Sequence, residues 1–210
     1  MARLTEEQLR EKYIVMSEFE NRAKNEGYNA IAGVDEVGRG PLAGPVVTAA
    51  VILPDDYEIL GLNDSKKLSE KKRNELDIVI REKCKYSIAE VSHTNIDKYN
   101  IKNATKMAMK MAIEGLSVMP DMLLIDAEKL ETVDIAQNSI IKGDAKSVSI
   151  AAASIIAKVY RDALMCKEHE KYPEYAFDSN KGYGTAVHCE ALKKYGPIEI
   201  HRRTFIKNLI

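Results

Sequence analysis

The residues in this sequence that could do chemistry are, first, acids in unusual settings. Asp35 and Glu36 stand side by side in Ile31-Ala32-Gly33-Val34-Asp35-Glu36-Val37, an otherwise apolar run where an unpaired charge is costly unless a partner or a cation compensates it. Asp126 closes the apolar run Met122-Leu123-Leu124-Ile125, which puts its carboxylate at the mouth of a sheet, where α/β proteins commonly bind ligands; a turn residue or a helix cap is the competing reading. Asp144 lies in Gly143-Asp144-Ala145-Lys146-Ser147, where an N-cap is the plainer reading. Asp162 is in helical line with Asp144, but at about 1.5 Å per residue the two are roughly 27 Å apart and cannot share a site. Asp35, Glu36, Asp126 and Asp144, with no matching set of His or Cys, make an oxygen-ligand list, which selects Mg²⁺ or Mn²⁺ over Zn²⁺ or Cu²⁺. Two such ions about 4 Å apart can drive an in-line phosphoryl displacement without a covalent nucleophile.

Two glycine-framed loops accompany these acids. Gly38-Arg39-Gly40-Pro41-Leu42-Ala43-Gly44 spaces its glycines as G-x-G-x-x-x-G with no helix pattern behind it, which excludes a dinucleotide fingerprint. Its glycines could instead let backbone groups approach a sugar or phosphate, with Arg39 as a charged contact; a plain tight turn is the alternative. Lys181-Gly182-Tyr183-Gly184-Thr185 displays an aromatic ring suited to stacking on a sugar or base, or simply packed under a turn.

The elements that must position these groups follow from periodicity. Asp35 and Glu36 belong to a strand over 31–37, and a second strand over 46–53 is its antiparallel neighbour across the glycine and proline loop. Successive strand side chains point to opposite faces, so Asp35 and Glu36 can both ligate one site only if the strand bends or ends there. If it does not bend, one of them acts from outside the metal's ligand set or through its backbone carbonyl. Ser69 caps a helix running to Lys83, residues 86–91 alternate as a half-buried strand, and a Met- and Ala-rich helix covers 96–116. Residues 122–125 form a central strand, and 148–169 the longest helix. Leu9, Tyr13, Met16 and Phe19 give residues 5–26 an amphipathic stripe, predicting an N-terminal helix that packs onto the domain. The pattern is an α/β sandwich around a mixed sheet.

Bulk properties narrow the class. A chain of 210 residues can bury one core, so a single compact domain is expected. Cys84, Cys166 and Cys189 are far apart and form no Cys-x-x-Cys pair, which fits a reducing cytoplasmic setting without disulfides or zinc. The longest uncharged stretch, Gly40 to Pro54, is too short and proline-broken to span a bilayer. Net charge is −1, yet residues 142–210 hold 12 Lys/Arg against 8 Asp/Glu, an excess compatible with gripping phosphates on one side. No long exposed apolar stripe demands a partner, so a monomer is expected.

Read in order, Ile31 through Val47, Asp64-Ser65-Lys66-Lys67-Leu68, Leu124-Ile125-Asp126, Gly143-Asp144-Ala145-Lys146-Ser147, Ile150 to Lys158, Lys181-Gly182-Tyr183-Gly184-Thr185 and His201-Arg202-Arg203-Thr204-Phe205 resemble the type 2 ribonucleases H, the ribonuclease HII family. The resemblance implies an RNase H-like fold: a mixed central sheet flanked by helices, with an N-terminal helix over 1–28 and a catalytic domain over 29–210 whose C-terminal portion is helical. It implies that Asp35, Glu36, Asp126 and Asp144 bind Mg²⁺ or Mn²⁺ and are catalytic, and that Gly38, Arg39, Gly40 and Tyr183 recognise the 2′-hydroxyl at an RNA-DNA junction. It further implies cleavage of RNA-DNA hybrids and, 5′ of the lone ribonucleotide, of ribonucleotide-containing duplex DNA. The products carry 3′-hydroxyl and 5′-phosphate ends, and the role is DNA repair. Only about 30 residues precede the first motif, which favours type 2 over the type 3 enzymes with their N-terminal substrate-binding domain. The chain stops soon after Phe205, so sliding-clamp binding is not expected. A phosphatase using the same acids, or a binding module that has lost the chemistry, are the alternatives; the two glycine-framed loops argue for a polymeric substrate, and the complete set of acids argues against lost chemistry.

Overall fold

The computed structural model describes residues 4–209. Five strands form one mixed sheet in the order β3-β2-β1-β4-β5: β1 Ile31–Val37, β2 Val46–Ile52, β3 Lys85–Val91, β4 Met122–Asp126 and β5 Ala136–Ile140. β1 pairs antiparallel with β2, as expected, and parallel with β4 in a register that sets Val34 against Ile125. Asp35 and Asp126 therefore leave neighbouring strands at the same level. The polar strand β5 (Ala-Gln-Asn-Ser-Ile) has no apolar alternation to announce it; it forms because β4 offers a free edge along its full length.

Helices cover both faces of the sheet. On one face lie α3 (Glu70–Lys83) and α6 (Val148–Lys171), packed through Leu76, Ile80, Ala152, Ile155 and Ile156 on Val47, Ala49 and Val51. On the other, α5 (Ile101–Glu114) packs Met109, Ala112 and Ile113 on Ala32, Val34, Leu123 and Ile125, preceded by α4 (His93–Tyr99). Alternation thus sends Val34 and Ile125 to the α5 face and Asp35 and Asp126 to the α6 face. The alanines of α6 allow close approach to β1: a Cβ at Gly33 would lie 2.1 Å from the Ser149 carbonyl carbon. The C-terminal portion, α7 (Phe177–Asn180), α8 (Ala186–Tyr195) and α9 (Arg203–Ile206), forms a separate small core around Met165, Tyr175, Phe177 and Leu192.

Two continuous helices expected from the sequence are each broken in two. Residues 5–26 form α1 (Glu6–Met16) and α2 (Glu18–Asn25), separated at Ser17, whose hydroxyl donates back to the Tyr13 carbonyl at 2.8 Å. Helix 96–116 divides at Asn100, which takes a left-handed φ of 66° and caps α5 by accepting from the Asn103 amide at 3.0 Å. Among the described residues, no helix is long and apolar enough to cross a membrane.

Candidate active site

The α6 face of the sheet gathers the acids. Carboxylate oxygens of Asp35, Asp126 and Asp144 lie within 4.8 Å of one another, and the first and third of these side chains are buried. Asp35 comes from within β1, Asp126 from the end of β4, and Asp144 from the single 3-10 turn Gly143–Ala145 that leads into α6. That turn is tied to the sheet by the Gly143 amide, which donates to Asp126 Oδ1 at 2.7 Å. Glu36 stands outside the set of three because the strand stays regular through it, still paired with Thr48. It lies close enough for the Asp126 charge to act on it, and its Oε1 is 3.4 Å from Arg39 Nη1 while its buried Oε2 has no hydrogen-bond partner.

The electrostatics record this crowding. Burial and then the Glu36 and Asp126 charges push the Asp35 carboxyl well above the usual carboxylate range. Burial also raises Glu36, against the pull of the Arg39 guanidinium and with help from Asp126. Asp144 is raised by burial and by its neighbours Asp64 and Asp126, with Lys66 opposing. Burial alone would lower Lys66, but Asp144, Asp64 and Asp35 together hold its ammonium charged. An oxygen-only donor set, carboxyls that resist ionising and an orphaned buried Glu36 oxygen suit a hard divalent cation, so the triad is able to bind metal.

The two glycine-framed loops, separate in sequence, meet beside these acids. Leu42 donates its amide to the Gly182 carbonyl at 2.8 Å, and a Cβ on Gly40 would touch the Tyr183 ring at 3.5 Å. Tyr183 is 43% exposed, so it is displayed and not packed under the turn. Arg39, expected as a charged contact to substrate, bridges Glu36 and Glu128, each at 3.4 Å.

Two fully buried arginines shape the loop from below. Arg202 donates to the carbonyls of Gly38 (2.6 Å), Arg39 (2.9 Å), Gly44 (3.0 Å) and Pro45 (3.2 Å). Arg161 donates to those of Pro45 and Ala43 (3.0 Å each) and Lys181 (2.9 Å). A trans peptide holds its N–H opposite its C=O, so the amides of Arg39 and Gly40 point away from Arg202. The Tyr183 carbonyl is held by a histidine pair. The Ile198 amide donates to His201 Nδ1, which leaves His201 Nε2–H to donate to His188 Nε2 at 2.9 Å and His188 Nδ1–H to donate to Tyr183.

Sequence reasoning gave Lys66, Ser65 and Ser154 no role, although Lys66 and Ser65 stand in a quoted block and Ser154 in another. Ser154, on α6, meets the Ser65 hydroxyl at 2.9 Å and lies near enough to Asp35 to oppose the rise of its pKa. Arg161 and Glu20 carried no sequence signal, being charged residues in helices full of them.

With this geometry in hand, comparison with known proteins is informative. The family model described as Ribonuclease HII matches residues 32–208. The chain is similar to the Ribonuclease HII of Bacillus subtilis strain 168, with 58% identity over 201 residues, 95% of this chain and 78% of that protein. Among solved structures it is similar to ribonuclease H2 from Pyrococcus horikoshii OT3, with TM-score 0.73 and 26% identity, covering 86% of this chain and 97% of that one. It is likewise similar to RNase HII in the PCNA:RNase HII complex from Archaeoglobus fulgidus, with TM-score 0.73 and 28% identity over 85% of this chain and 94% of that one.

Proposed function

The chain belongs to the ribonuclease HII family, the metal-dependent endoribonucleases, and from that premise we propose that it cuts RNA-DNA hybrids and duplex DNA 5′ of an embedded ribonucleotide. The observation that carries this reading is the convergence of Asp35, Asp126 and Asp144 within 4.8 Å, directly beside the paired Gly38-Arg39-Gly40 and Tyr183 loops. In this reading Asp35, Asp126 and Asp144 hold two Mg²⁺ or Mn²⁺ ions, and Glu36 joins them through its unpartnered Oε2. When bound, the cations supply Lewis-acid polarisation of the phosphodiester and lower the pKa of an attacking water.

The protein's own groups do the rest. The Gly143 amide fixes one oxygen of Asp126 and leaves the other free. Lys66 supplies a positive charge among the acids, where a phosphate would otherwise be repelled. The outward amides of Arg39 and Gly40 and the exposed Tyr183 ring recognise the 2′-hydroxyl and sugar, a contact that a deoxyribonucleotide cannot make in full. The catalytic unit spans residues 29–210, with 1–28 as a helical extension; residues 1–3 and 210 of those ranges lie outside the described residues. Asp126→Asn tests the assignment. Hybrid binding in a mobility-shift assay is expected to persist while cleavage falls by more than about 100-fold, since a shared ligand is worth more than an outer partner; unchanged turnover would remove Asp126 from the mechanism.

A further inference from the structure

Glu20 links the N-terminal helices by hydrogen bonds to the start of α6, next to the acids. Glu20, in α2, is 7% exposed, and its Oε1 accepts from Ser147 Oγ at 2.5 Å, Ser149 Oγ at 2.6 Å and the Ser149 amide at 3.0 Å. These serines are the N-cap and second residue of α6, so the carboxylate sits on the positive end of that helix and takes charge-assisted bonds from it. A continuous chain of bonds then leads to the site. The Ser147 amide donates to the Gly143 carbonyl at 2.8 Å, and the Gly143 amide donates to Asp126 Oδ1 at 2.7 Å.

Asp144 lies inside that same turn. The turn is a single 3-10 turn, closed by the Lys146 amide on the Gly143 carbonyl at 2.9 Å and entered through Lys142 in a left-handed conformation, and it must keep Asp144 beside two like charges. On its other side Ser149 abuts Gly33, two residues before Asp35.

We propose that Glu20 is a positioning residue for the metal-binding carboxylates Asp126 and Asp144, so that α2 serves the catalytic centre. The proposal rests on the reading of those two aspartates as metal ligands. A carboxylate that merely stabilised α6 would affect melting alone; one that positions the ligands affects how tightly the metal binds.

The test uses the full chain and Mn²⁺ alone. Mn²⁺ affinity is measured calorimetrically without nucleic acid, beside the melting temperature of the metal-free protein, for wild type, Glu20→Ala, Glu20→Gln, Met16→Ala and Asp126→Asn. Glu20→Ala is expected to weaken Mn²⁺ binding about 10- to 100-fold. Glu20→Gln, whose amide oxygen can accept from the same donors, recovers most of it. Met16→Ala, a core truncation in α1, lowers melting without moving the affinity. Glu20→Ala melting lower with unchanged affinity would overturn the proposal. Should that variant not fold, Ser147→Ala cuts the link while Ser149 still holds Glu20, and unchanged affinity there overturns it equally. Asp126→Asn separates the two failures: if it too leaves the affinity unchanged, the ligand reading falls, and if it alone weakens binding, only the role of Glu20 falls.

Discussion

At the scale of residues, the metal-free site is a place where charge is held against its own repulsion. Asp35 and Asp144 have raised pKa values from burial and from neighbouring carboxylates. An acid whose folded pKa lies above its unfolded value contributes stability that is fully present below the unfolded value and is lost as pH rises through the folded one. The metal-free protein therefore loses stability from this site as pH climbs from about 4 through the raised range of these carboxyls. Asp126→Asn keeps an acceptor for the Gly143 amide but removes a charge that raises both neighbours. In chelator, calorimetry is expected to find this variant melting about 2–4 °C higher at neutral pH, equivalent to roughly 1 kcal/mol, with the gain vanishing near pH 4; an equal gain at both pH values would contradict the charge argument. The adjacent acids in an apolar strand made much of this legible, and alternation along β1 already stated the difficulty that leaves Glu36 apart. Lys66 and Glu20 were not legible, because their roles depend on what the fold brings opposite them.

At the scale of elements, runs with strong period-two or helical patterning were readable, and their interruptions were not. β1, β2, β3, β4, α3 and α6 follow their apolar spacing, whereas the breaks at Ser17 and Asn100 depend on single side chains bonding their own backbone. The two glycine-framed loops were visible as glycine patterns, but their meeting depends on Arg161 and Arg202, whose burial no spacing announces. Burial lowers the Arg202 guanidinium to about 9, with the Arg161 charge adding, so it stays charged at neutral pH with loop carbonyls as its acceptors. Arg202→Lys cannot serve four carbonyls with one compact ammonium. The Pro45 carbonyl keeps its bond from Arg161, and a lysine reaching one of the other three leaves two buried acceptors unpaired at about 1–3 kcal/mol each, so urea denaturation is expected to show a loss of at least about 2 kcal/mol, with poorer discrimination between ribonucleotide and deoxyribonucleotide sites. A loss under 1 kcal/mol would mean that the loop holds its shape without the fork.

At the scale of the whole molecule, the sheet delivers Asp35 and Asp126 at one level, the 3-10 turn leading into α6 sets Asp144 beside them, and the C-terminal helical portion brings Tyr183 against the Gly40 loop. The carboxylate triad and the loops proposed to recognise ribose thus lie side by side, although their residues span most of the sequence. The most direct test is cleavage of end-labelled duplex DNA containing one ribonucleotide, with Mg²⁺, Mn²⁺ or chelator, beside an all-DNA duplex and an uninterrupted hybrid. The arrangement predicts metal-dependent cutting just 5′ of the lone ribonucleotide, cutting of the hybrid and none of the all-DNA duplex. Intact ribonucleotide-containing substrate with either metal would contradict it.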